Sequence, residues 1–512
     1  MDQIKTVIVQ AGGKGSRMGH LTDNKPKCLV SLNGQPILYS IGEAFGNSIE
    51  AKIIADYKAD VLESYIKFNP PNFSYSIIKS SGKGTSSGLQ NAIDDCKGKP
   101  FAIVWSDLYF HTQIDYKRIE NNSIGLTNSI RCRWSYENGE LVERPNDQLS
   151  RLGIPGIFFF PKPEALPSIP ENGEFVKFLS ENGIALNPIV LKGFREIGTF
   201  ESYRLERNNQ FNSRFFNKIE VLDSNVVKTS RNASFKHLLQ DEANWYQYLT
   251  SKGFTNIPKF ISSNPLTIEY IKGRHAYDFG KLSQEMKESI VSNILNSLSN
   301  MHNLGSVDYE WIIAKEVYVE KTLNRIKKIL NLFPKLEREY YSVNGTSAFN
   351  ILHPEGEEKL EVLFQKLFAR GDSFNITHGD PTFSNILIGS NYKPVFIDPR
   401  GSFGSLKIYG DPLYDYAKLY YSAIGNYDFF NQGRFILRLN FPDVDVKVES
   451  EGFESTIGIF EDKLGKDMMK INALHALIWL SLAGYVLDDY DSILASYFNG
   501  IRLFQEVYDA FA

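Results

Sequence analysis

Residues 376–401 read ITHGDPTFSNILIGSNYKPVFIDPRG, and this stretch decides the fold of the C-terminal half of the chain. Asp380 and Asn385 stand five residues apart on a loop that enters an apolar run, and Asp398 ends the next apolar run. A hairpin over this segment would bring the second aspartate back to the first carboxylate and the amide. Phosphoryl transfer needs these groups: one aspartate orients and deprotonates a hydroxyl, while an asparagine and a second aspartate hold Mg²⁺. The sequence therefore predicts a phosphoryl-transfer site here.

This segment resembles the catalytic loop of the aminoglycoside phosphotransferase and choline kinase superfamily, and the resemblance extends over about residues 211–512. It implies a two-lobed, protein-kinase-like fold. It also implies that Asp380 is the catalytic base and that Asn385 and Asp398 are the Mg²⁺ ligands. The later segment GDPLYD (410–415) resembles the part of the family that supports the catalytic loop.

The residues before the catalytic segment are expected to bind ATP. Lys228 resembles the strand lysine that contacts the ATP phosphates, and Glu242 opens the next helix at a spacing that permits an ion pair with it. A lysine on a strand is otherwise a solvated residue. The stretch 211–219, FNSRFFNKI, contains no glycine, so no glycine-rich loop covers the nucleotide. Arg400 follows Asp398 where the family more often has an aromatic residue; it either contacts a charge on the acceptor or forms a surface salt bridge.

A second site is predicted near the N-terminus, where residues 7–30 read VIVQAGGKGSRMGHLTDNKPKCLV. A β-branched run ends in Gly12, Gly13 and Gly15, so backbone N–H groups can approach a phosphate chain without interference from a Cβ atom. Arg17 and Lys27 supply positive charge. The pattern is neither a Walker A motif nor a dinucleotide fingerprint. The alternative is a tight turn between a strand and a helix.

These residues resemble the sugar-1-phosphate nucleotidyltransferase family over about residues 3–207. In this family a phosphate monoester attacks the α-phosphorus of an NTP and releases pyrophosphate, with Arg17 and Lys27 stabilising charge. Glu196 stands where the family has aspartate, and Arg144 where it has lysine, so the acceptor is left open. The resemblance implies three further roles. Thr85, in the turn GTSSGL (84–89), would contact the nucleotide, and Glu143 and Arg144 would contact the sugar phosphate. Asp107 and Glu196 would bind Mg²⁺.

Strands that alternate with helices in the first two hundred residues favour a parallel α/β sheet. We therefore expect an α/β, Rossmann-like nucleotidyltransferase domain over residues 1–208. A kinase-like N-lobe over 214–273 and a mostly helical, kinase-like C-lobe over 274–512 are expected to follow.

The composition excludes several classes of protein. The net charge of −4 creates no basic field that would attract nucleic acid or anionic lipid. No apolar run approaches the length of a membrane span. The three cysteines have neither disulfide nor zinc spacing. We expect a cytoplasmic enzyme that uses Mg²⁺, ATP, an NTP and a small-molecule phosphate acceptor; the oligomeric state is left open.

Three functions fit these motifs. In the first, the kinase phosphorylates a sugar and the transferase makes a nucleotide-activated sugar for surface polysaccharide or cell-wall synthesis. In the second, the acceptor is choline or another aminoalcohol and the product is a CDP-headgroup. The support for the second is a group of aromatic and acidic residues near the C-terminus: Trp479, Tyr485, Asp488, Asp489, Tyr490 and Asp491. The third is a nucleotide-sensing scaffold with one inactive domain.

Overall fold

The computed structural model describes residues 3–143, 152–208, 217–230, 236–332 and 338–512. Within these ranges, no helix has the length and apolar character needed to cross a membrane. The chain divides into two units. The first comprises Met1–Phe211 and Leu487–Asp491, and the second comprises Asn212–Val486 and Ser492–Ala512.

The first unit is built on a seven-stranded sheet whose order is β12-β8-β11-β6-β1-β4-β5. The strands of this unit are β1 (Thr6–Gln10), β2 (Ser31–Leu32), β3 (Gln35–Pro36), β4 (Glu50–Ala55), β5 (Ser74–Lys79), β6 (Phe101–Trp105), β7 (Leu108–Phe110), β8 (Ser123–Leu126), β9 (Trp134–Glu137), β10 (Glu140–Glu143), β11 (Ile157–Phe160), β12 (Asn187–Val190) and β13 (Phe194–Glu196). Its helices are α1 (Ile41–Phe45), α2 (Ala59–Phe68), α3 (Leu89–Asp94), α4 (Phe175–Glu181) and α5 (Phe200–Asn208).

The centre of this sheet places the predicted N-terminal site. Strand β1 lies between β4 and β6 and is parallel to both, and its apolar residues are buried. Because parallel strands end at the same edge, the turn after β1 and the aspartate after β6 come together there. Strand β11 runs antiparallel to β6 and β8, so the sheet is mixed rather than parallel as predicted. An apolar run that is buried on both faces does not reveal its direction.

A short segment near the C-terminus, Leu487–Asp491, belongs to the first unit. Lys25 Nζ donates to Asp489 Oδ1 at 2.7 Å and to Asp491 Oδ2 at 2.6 Å. Burial alone would lower the pKa of Lys25, but the two carboxylates more than offset it, and the pKa is raised. Asp488 Oδ2 accepts from Ser31 Oγ at 2.7 Å. The three carboxylates thus have partners within the first unit, where Lys25 and Ser31 bind them.

In its described residues, the second unit contains an antiparallel sheet of order β14-β15-β17-β16, followed by helices and three further sheets. Its strands are β14 (Asn217–Leu222), β15 (Asn225–Ser230), β16 (Phe260–Ser263), β17 (Leu266–Glu269), β18 (Arg274–His275), β19 (Ser306–Asp308), β20 (Tyr340–Val343), β21 (Thr346–Phe349), β22 (Ser373–Ile376), β23 (Ile386–Ile388), β24 (Pro394–Phe396), β25 (Tyr409–Gly410), β26 (Phe435–Asn440) and β27 (Asp443–Val448). Its helices are α6 (Lys236–Ser251), α7 (Gln284–His302), α8 (Trp311–Lys315), α9 (Lys321–Ile326), α10 (Pro354–Phe368), α11 (Pro412–Ala423), α12 (Tyr427–Asn431), α13 (Ile457–Leu464), α14 (Met468–Ala483) and α15 (Tyr490–Phe511), the last beginning in the first unit.

The predicted hairpin over the catalytic segment is present as β23 and β24, which pair antiparallel. The β-rich lobe and the helical lobe of a kinase-like fold are therefore both present. The second lobe also contains a four-stranded sheet, β21-β20-β27-β26, that the sequence reading missed. Strand β27 alternates buried and exposed residues along DVDVKV, which is the period of a half-buried strand.

Two candidate active sites

A cleft of about 750 Å³ lies at the edge of the first sheet where β1 and β6 end. Gly12, Gly13 and Gly15 line it, as do Arg17 and Lys27. Gly15 has a φ of +68°, and a Cβ atom there would lie 3.0 Å from Cβ of Lys27. Glycine therefore permits both the left-handed turn and the close approach of the lysine.

The turn at residues 84–89 forms another wall of this cleft. Gln10 Nε2 donates to the carbonyl oxygens of Thr85 and Ser87, at 2.9 Å each. Thr85 Oγ1 accepts from the backbone N–H of Phe175 at 2.9 Å. Gly84, at a φ of +87°, has no room for a Cβ atom, which would lie 2.1 Å from the carbonyl oxygen of Gly173. The side chain of Thr85 thus serves the turn itself, and Gln10 holds the turn in place.

The charged residues of the cleft are arranged around Asp107. Lys27 Nζ donates to Asp107 Oδ2 at 2.7 Å. Asp107 Oδ1 is buried and has no hydrogen-bond partner among the residues that the structure describes. Arg17 NH2 lies 4.0 Å from Glu196 Oε1. Burial raises the pKa of Glu196, and the nearby charge of Asp107 raises it further.

These two carboxylates fit a hard divalent cation. Mg²⁺ would give the buried Oδ1 of Asp107 a partner and would stabilise the negative charge on Glu196. In the described ranges, no group of three or more His, Cys, Asp or Glu residues is placed to hold a metal ion. Asp107 and Glu196 would therefore hold the cation together with oxygens of a bound nucleotide or water.

One of the two residues predicted to contact the sugar phosphate, Glu143, does not line the cleft. Glu143 Oε1 accepts from Arg133 Nε at 2.8 Å and is not among the residues that line the cleft. Arg144 lies outside the described residues. Arg131 and Arg133, just before β9, line the cleft instead. The sequence reading missed both arginines, whose only signal was two basic residues immediately before a strand.

In the second unit, Asp415 holds the catalytic loop in place through hydrogen bonds to its backbone. Its Oδ2 accepts from the backbone N–H of His378 at 2.8 Å, and its Oδ1 accepts from that of Gly379 at 2.7 Å. Asp415 is fully buried, so each of these bonds replaces lost hydration. Asp411 caps α11 by accepting from the backbone N–H of Leu413. This geometry agrees with the supporting role that the sequence suggests for residues 410–415.

The lysine of the β-rich lobe is buried with two carboxylates. Lys228 Nζ donates to Glu242 Oε1 at 2.6 Å and also contacts Asp398 Oδ1. Lys228 and Glu242 are almost fully buried. Burial alone would lower the pKa of Lys228, but Asp398 and Glu242 more than offset it, and the pKa is raised. The structure thus contains the ion pair of Lys228 and Glu242 that the sequence suggests, and adds Asp398 to it.

Asp380 and Asn385 meet on the loop between β22 and β23. Asn385 Nδ2 donates to the backbone carbonyl of Asp380 at 2.8 Å, which leaves the amide oxygen as the atom suited to a cation. Asp380 Oδ1 is 3.0 Å from Lys418 Nζ, and Oδ2 is 3.8 Å from Arg400 NH2. Asp398 adopts a left-handed backbone with a φ of 56°, a conformation that non-glycine residues adopt mainly where the surroundings impose it. Asn385 and Asp398 fit the oxygen ligands that Mg²⁺ prefers.

Two family models match the chain. The MobA-like NTP transferase domain matches residues 7–140, and the phosphotransferase enzyme family matches residues 207–444. The predicted resemblance to nucleotidyltransferases at one end and to phosphotransferases at the other is therefore confirmed. The chain joins the two kinds of domain.

The curated relatives share only part of their length with this chain. The bifunctional protein GlmU of Methanococcus maripaludis is 28% identical over 248 residues, which are 44% of this chain and 59% of the relative. The bifunctional protein GlmU of Methanocaldococcus jannaschii is 26% identical over 174 residues, which are 30% of this chain and 40% of the relative. The chain thus spans less than two thirds of these relatives.

Solved structures similar to this chain cover two fifths of it. HddC from Yersinia pseudotuberculosis is 23% identical with a TM-score of 0.34, covering 40% of this chain and 99% of its own. The CTP:phosphocholine cytidylyltransferase LicC from Streptococcus pneumoniae is 15% identical with a TM-score of 0.34, covering 40% and 99%. Likenesses at these TM-scores do not bear on function.

Proposed function

We propose that this chain is a bifunctional enzyme that catalyses two consecutive reactions. The second unit transfers the γ-phosphoryl group of ATP to a hydroxyl of a small acceptor. The first unit couples the resulting phosphate monoester to an NTP and releases pyrophosphate. The observation that carries the proposal is the assembly of Asp380, Asn385 and Asp398 beside the buried Lys228–Glu242 pair, in a chain that also has a nucleotidyltransferase cleft.

In the phosphotransferase site, Asp380 accepts the proton of the acceptor hydroxyl as its oxygen attacks the γ-phosphorus. Lys228 binds ATP phosphates, and Glu242 holds the lysine in position. Asn385 and Asp398 would hold Mg²⁺, which when bound neutralises the negative charge of the phosphates.

In the nucleotidyltransferase site, the nucleophile is already an anion, so the residues align groups and stabilise charge rather than remove a proton. The backbone of Gly12, Gly13 and Gly15 and the turn at Thr85 would bind the NTP. Arg17 and Lys27 stabilise the charge that develops at the α-phosphate. Asp107 and Glu196 would hold Mg²⁺ there.

We favour a sugar as the acceptor skeleton, with a nucleotide-activated sugar for surface polysaccharide or cell-wall synthesis as the product. The resemblance of residues 3–207 to sugar-1-phosphate nucleotidyltransferases supports this choice. An aminoalcohol is the alternative acceptor, and part of its support, the acidic segment near the C-terminus, is bound by Lys25 in the first unit.

The test measures both reactions on the full-length protein. Pyrophosphate release is followed with each of four NTPs and a panel of sugar 1-phosphates and phosphocholine. ADP release is followed with ATP and the unphosphorylated compounds. We expect Asp380→Asn to abolish acceptor-dependent ADP release and leave pyrophosphate release unchanged. If Asp380→Asn consumes ATP with the acceptor as fast as the wild type, the kinase assignment is wrong.

A further inference from the structure

Two basic side chains contact the proposed catalytic base, and two more lie close to them. Lys321 and Arg325 lie on α9, Arg400 follows the metal-binding hairpin, and Lys418 lies on α11. Lys418 and Arg400 contact opposite oxygens of Asp380, at 3.0 and 3.8 Å. One cation is enough to neutralise one carboxylate, so the others require a different explanation.

The two cations on α9 are held close to the others. Arg325 NH1 donates to Ser481 Oγ at 2.8 Å, and its guanidinium lies 5.0 Å from the centre of the Tyr485 ring. Burial and the nearby charges of Arg400, Arg325 and Lys418 together lower the pKa of Lys321 to about 7. Asp380 opposes this shift without offsetting it. The positive charges of this cluster thus repel one another.

Among the described residues, three carboxylates near the cluster have other partners. Asp415 accepts from two backbone N–H groups of the catalytic loop. Asp428 accepts from the backbone N–H of Ser384 at 2.7 Å, and burial raises its pKa. Asp398 is bound by Lys228.

Two buried hydrogen-bond donors beside Asp380 have no partner among the described residues. They are Arg400 Nε and the hydroxyl of Tyr421, a side chain that is 1% exposed. Lys418 lies between Asp380 and Tyr421, because its Nζ is 3.0 Å from Asp380 Oδ1 and 5.4 Å from the centre of the Tyr421 ring. Buried donors of this kind are rare unless a ligand satisfies them.

We propose that the phosphate acceptor carries a carboxylate or phosphate group besides its hydroxyl, and that Lys321, Arg325 and Arg400 bind this anion next to Asp380. The inference rests on the proposed kinase activity and narrows its acceptor to sugar acids, hydroxy acids or sugar phosphates. Neutral sugars and cationic aminoalcohols lack the charge that the cluster requires.

The reaction remains that of a kinase. The acceptor hydroxyl loses its proton to Asp380 as its oxygen forms a bond to the γ-phosphorus. The bond between the γ-phosphorus and the bridging oxygen breaks, and ADP leaves with that electron pair. The bound anion holds the acceptor so that its hydroxyl faces Asp380.

The experiment uses the full-length protein, ATP and acceptors matched in skeleton. Glucuronate and glucose 6-phosphate are compared with glucose and glucosamine, and glycerate with glycerol and choline. We expect ADP release to be faster with the anionic member of a set. The carboxylate and phosphate arms then identify which anion the site takes. A faster reaction with the neutral or cationic members would overturn the inference while leaving the kinase proposal intact.

Variants locate the effect. Lys321→Met and Arg325→Gln are expected to raise KM for the anionic acceptor about 10- to 100-fold, with KM for ATP unchanged. Lys328→Met, which removes an exposed lysine nearby, is the matched control. A rise in KM for ATP alone would mean that the cluster binds the nucleotide, which contradicts the proposal.

A second measurement covers a failure of the kinase proposal. If ADP release does not depend on any acceptor, the proposed activity is wrong for these compounds. Calorimetric binding of glucuronate and glucose 6-phosphate to the wild type, and its loss in Lys321→Met, would still support the anion site. Absence of binding to the wild type would overturn it. Lys321→Arg, which keeps the charge, is expected to restore binding if the variant proteins are folded.

Discussion

The two sites of this molecule balance charge in different ways. The nucleotidyltransferase cleft is lined by four cations, Arg17, Lys27, Arg131 and Arg133, and by four carboxylates, Asp56, Asp107, Glu174 and Glu196. In the phosphotransferase site, Asp380 contacts two cations, Arg400 and Lys418, and Lys321 and Arg325 lie close to these, so positive charge is in excess among the described residues there. A balanced cleft suits a nucleotide that arrives with its own cation. An unbalanced one suits a ligand that brings negative charge.

The largest effect is expected from removing a carboxylate of the balanced cleft. Asp107→Asn takes away one of two proposed cation ligands and the partner of Lys27. Pyrophosphate release should fall at least about 1,000-fold, because a metal ion contributes several kcal/mol of charge stabilisation. Acceptor-dependent ADP release should not change. Asp115→Asn, at an exposed position, serves as the control. Equal loss of both activities would show a folding defect rather than a lost ligand.

Substitution of the buried Lys25 tests whether this cation stabilises the first unit. Lys25→Met leaves Asp489 and Asp491 buried without their cation. The free energy of unfolding should fall by about 3–5 kcal/mol, the usual result of breaking a buried ion pair. Thermal unfolding followed by calorimetry measures it. The triple variant Lys25→Met, Asp489→Asn, Asp491→Asn should recover part of the loss. A single variant as stable as the wild type would contradict the structural role.

These contacts show what could be predicted from the sequence. Lys228 and Glu242 are 14 residues apart on adjacent elements, so a strand followed by a helix was enough to pair them. The catalytic loop and its hairpin were predictable for the same reason. Lys25 and Asp491 are 466 residues apart, and no local pattern connects them.

The anion cluster escaped prediction for a related reason. Lys321 and Arg325 are spaced like any solvated pair on a helix face, and only packing places them near Arg400. The sequence left open whether Arg400 contacts the acceptor or forms a surface salt bridge, because its spatial neighbours could not be predicted. The β20, β21, β26 and β27 sheet was missed because helical segments surround it.

The phosphotransferase lysine should give a smaller kinetic effect than Asp107. Lys228→Met removes a phosphate contact and leaves Glu242 and Asp398 without their cation. We expect kcat/KM for ATP to fall about 100-fold, the loss typical of one preorganised charged contact. Pyrophosphate release in the same preparation should remain at the wild-type rate. An unchanged kcat/KM for ATP would contradict the role of Lys228 in binding the nucleotide.

The smallest effect is a pH dependence that belongs to the unbalanced site alone. The groups that face Lys321 are Arg400, Arg325, Lys418 and Asp380, and its pKa is lowered to about 7 in the free protein. As pH rises through this value Lys321 loses its proton and its attraction for an anion. The ratio kcat/KM reports the free enzyme, so for an anionic acceptor it should fall about fivefold between pH 7 and pH 8.

Lys321→Arg isolates the group responsible, because a guanidinium stays protonated throughout this range. In that variant the fall above pH 7 should disappear, while a neutral acceptor should show none in either protein. Pyrophosphate release provides the internal control, since Lys321 belongs to the other unit. The same fall in the wild type and in Lys321→Arg would assign the titration to another group. A flat profile in the arginine variant alone would show that the excess positive charge around Asp380 selects the acceptor.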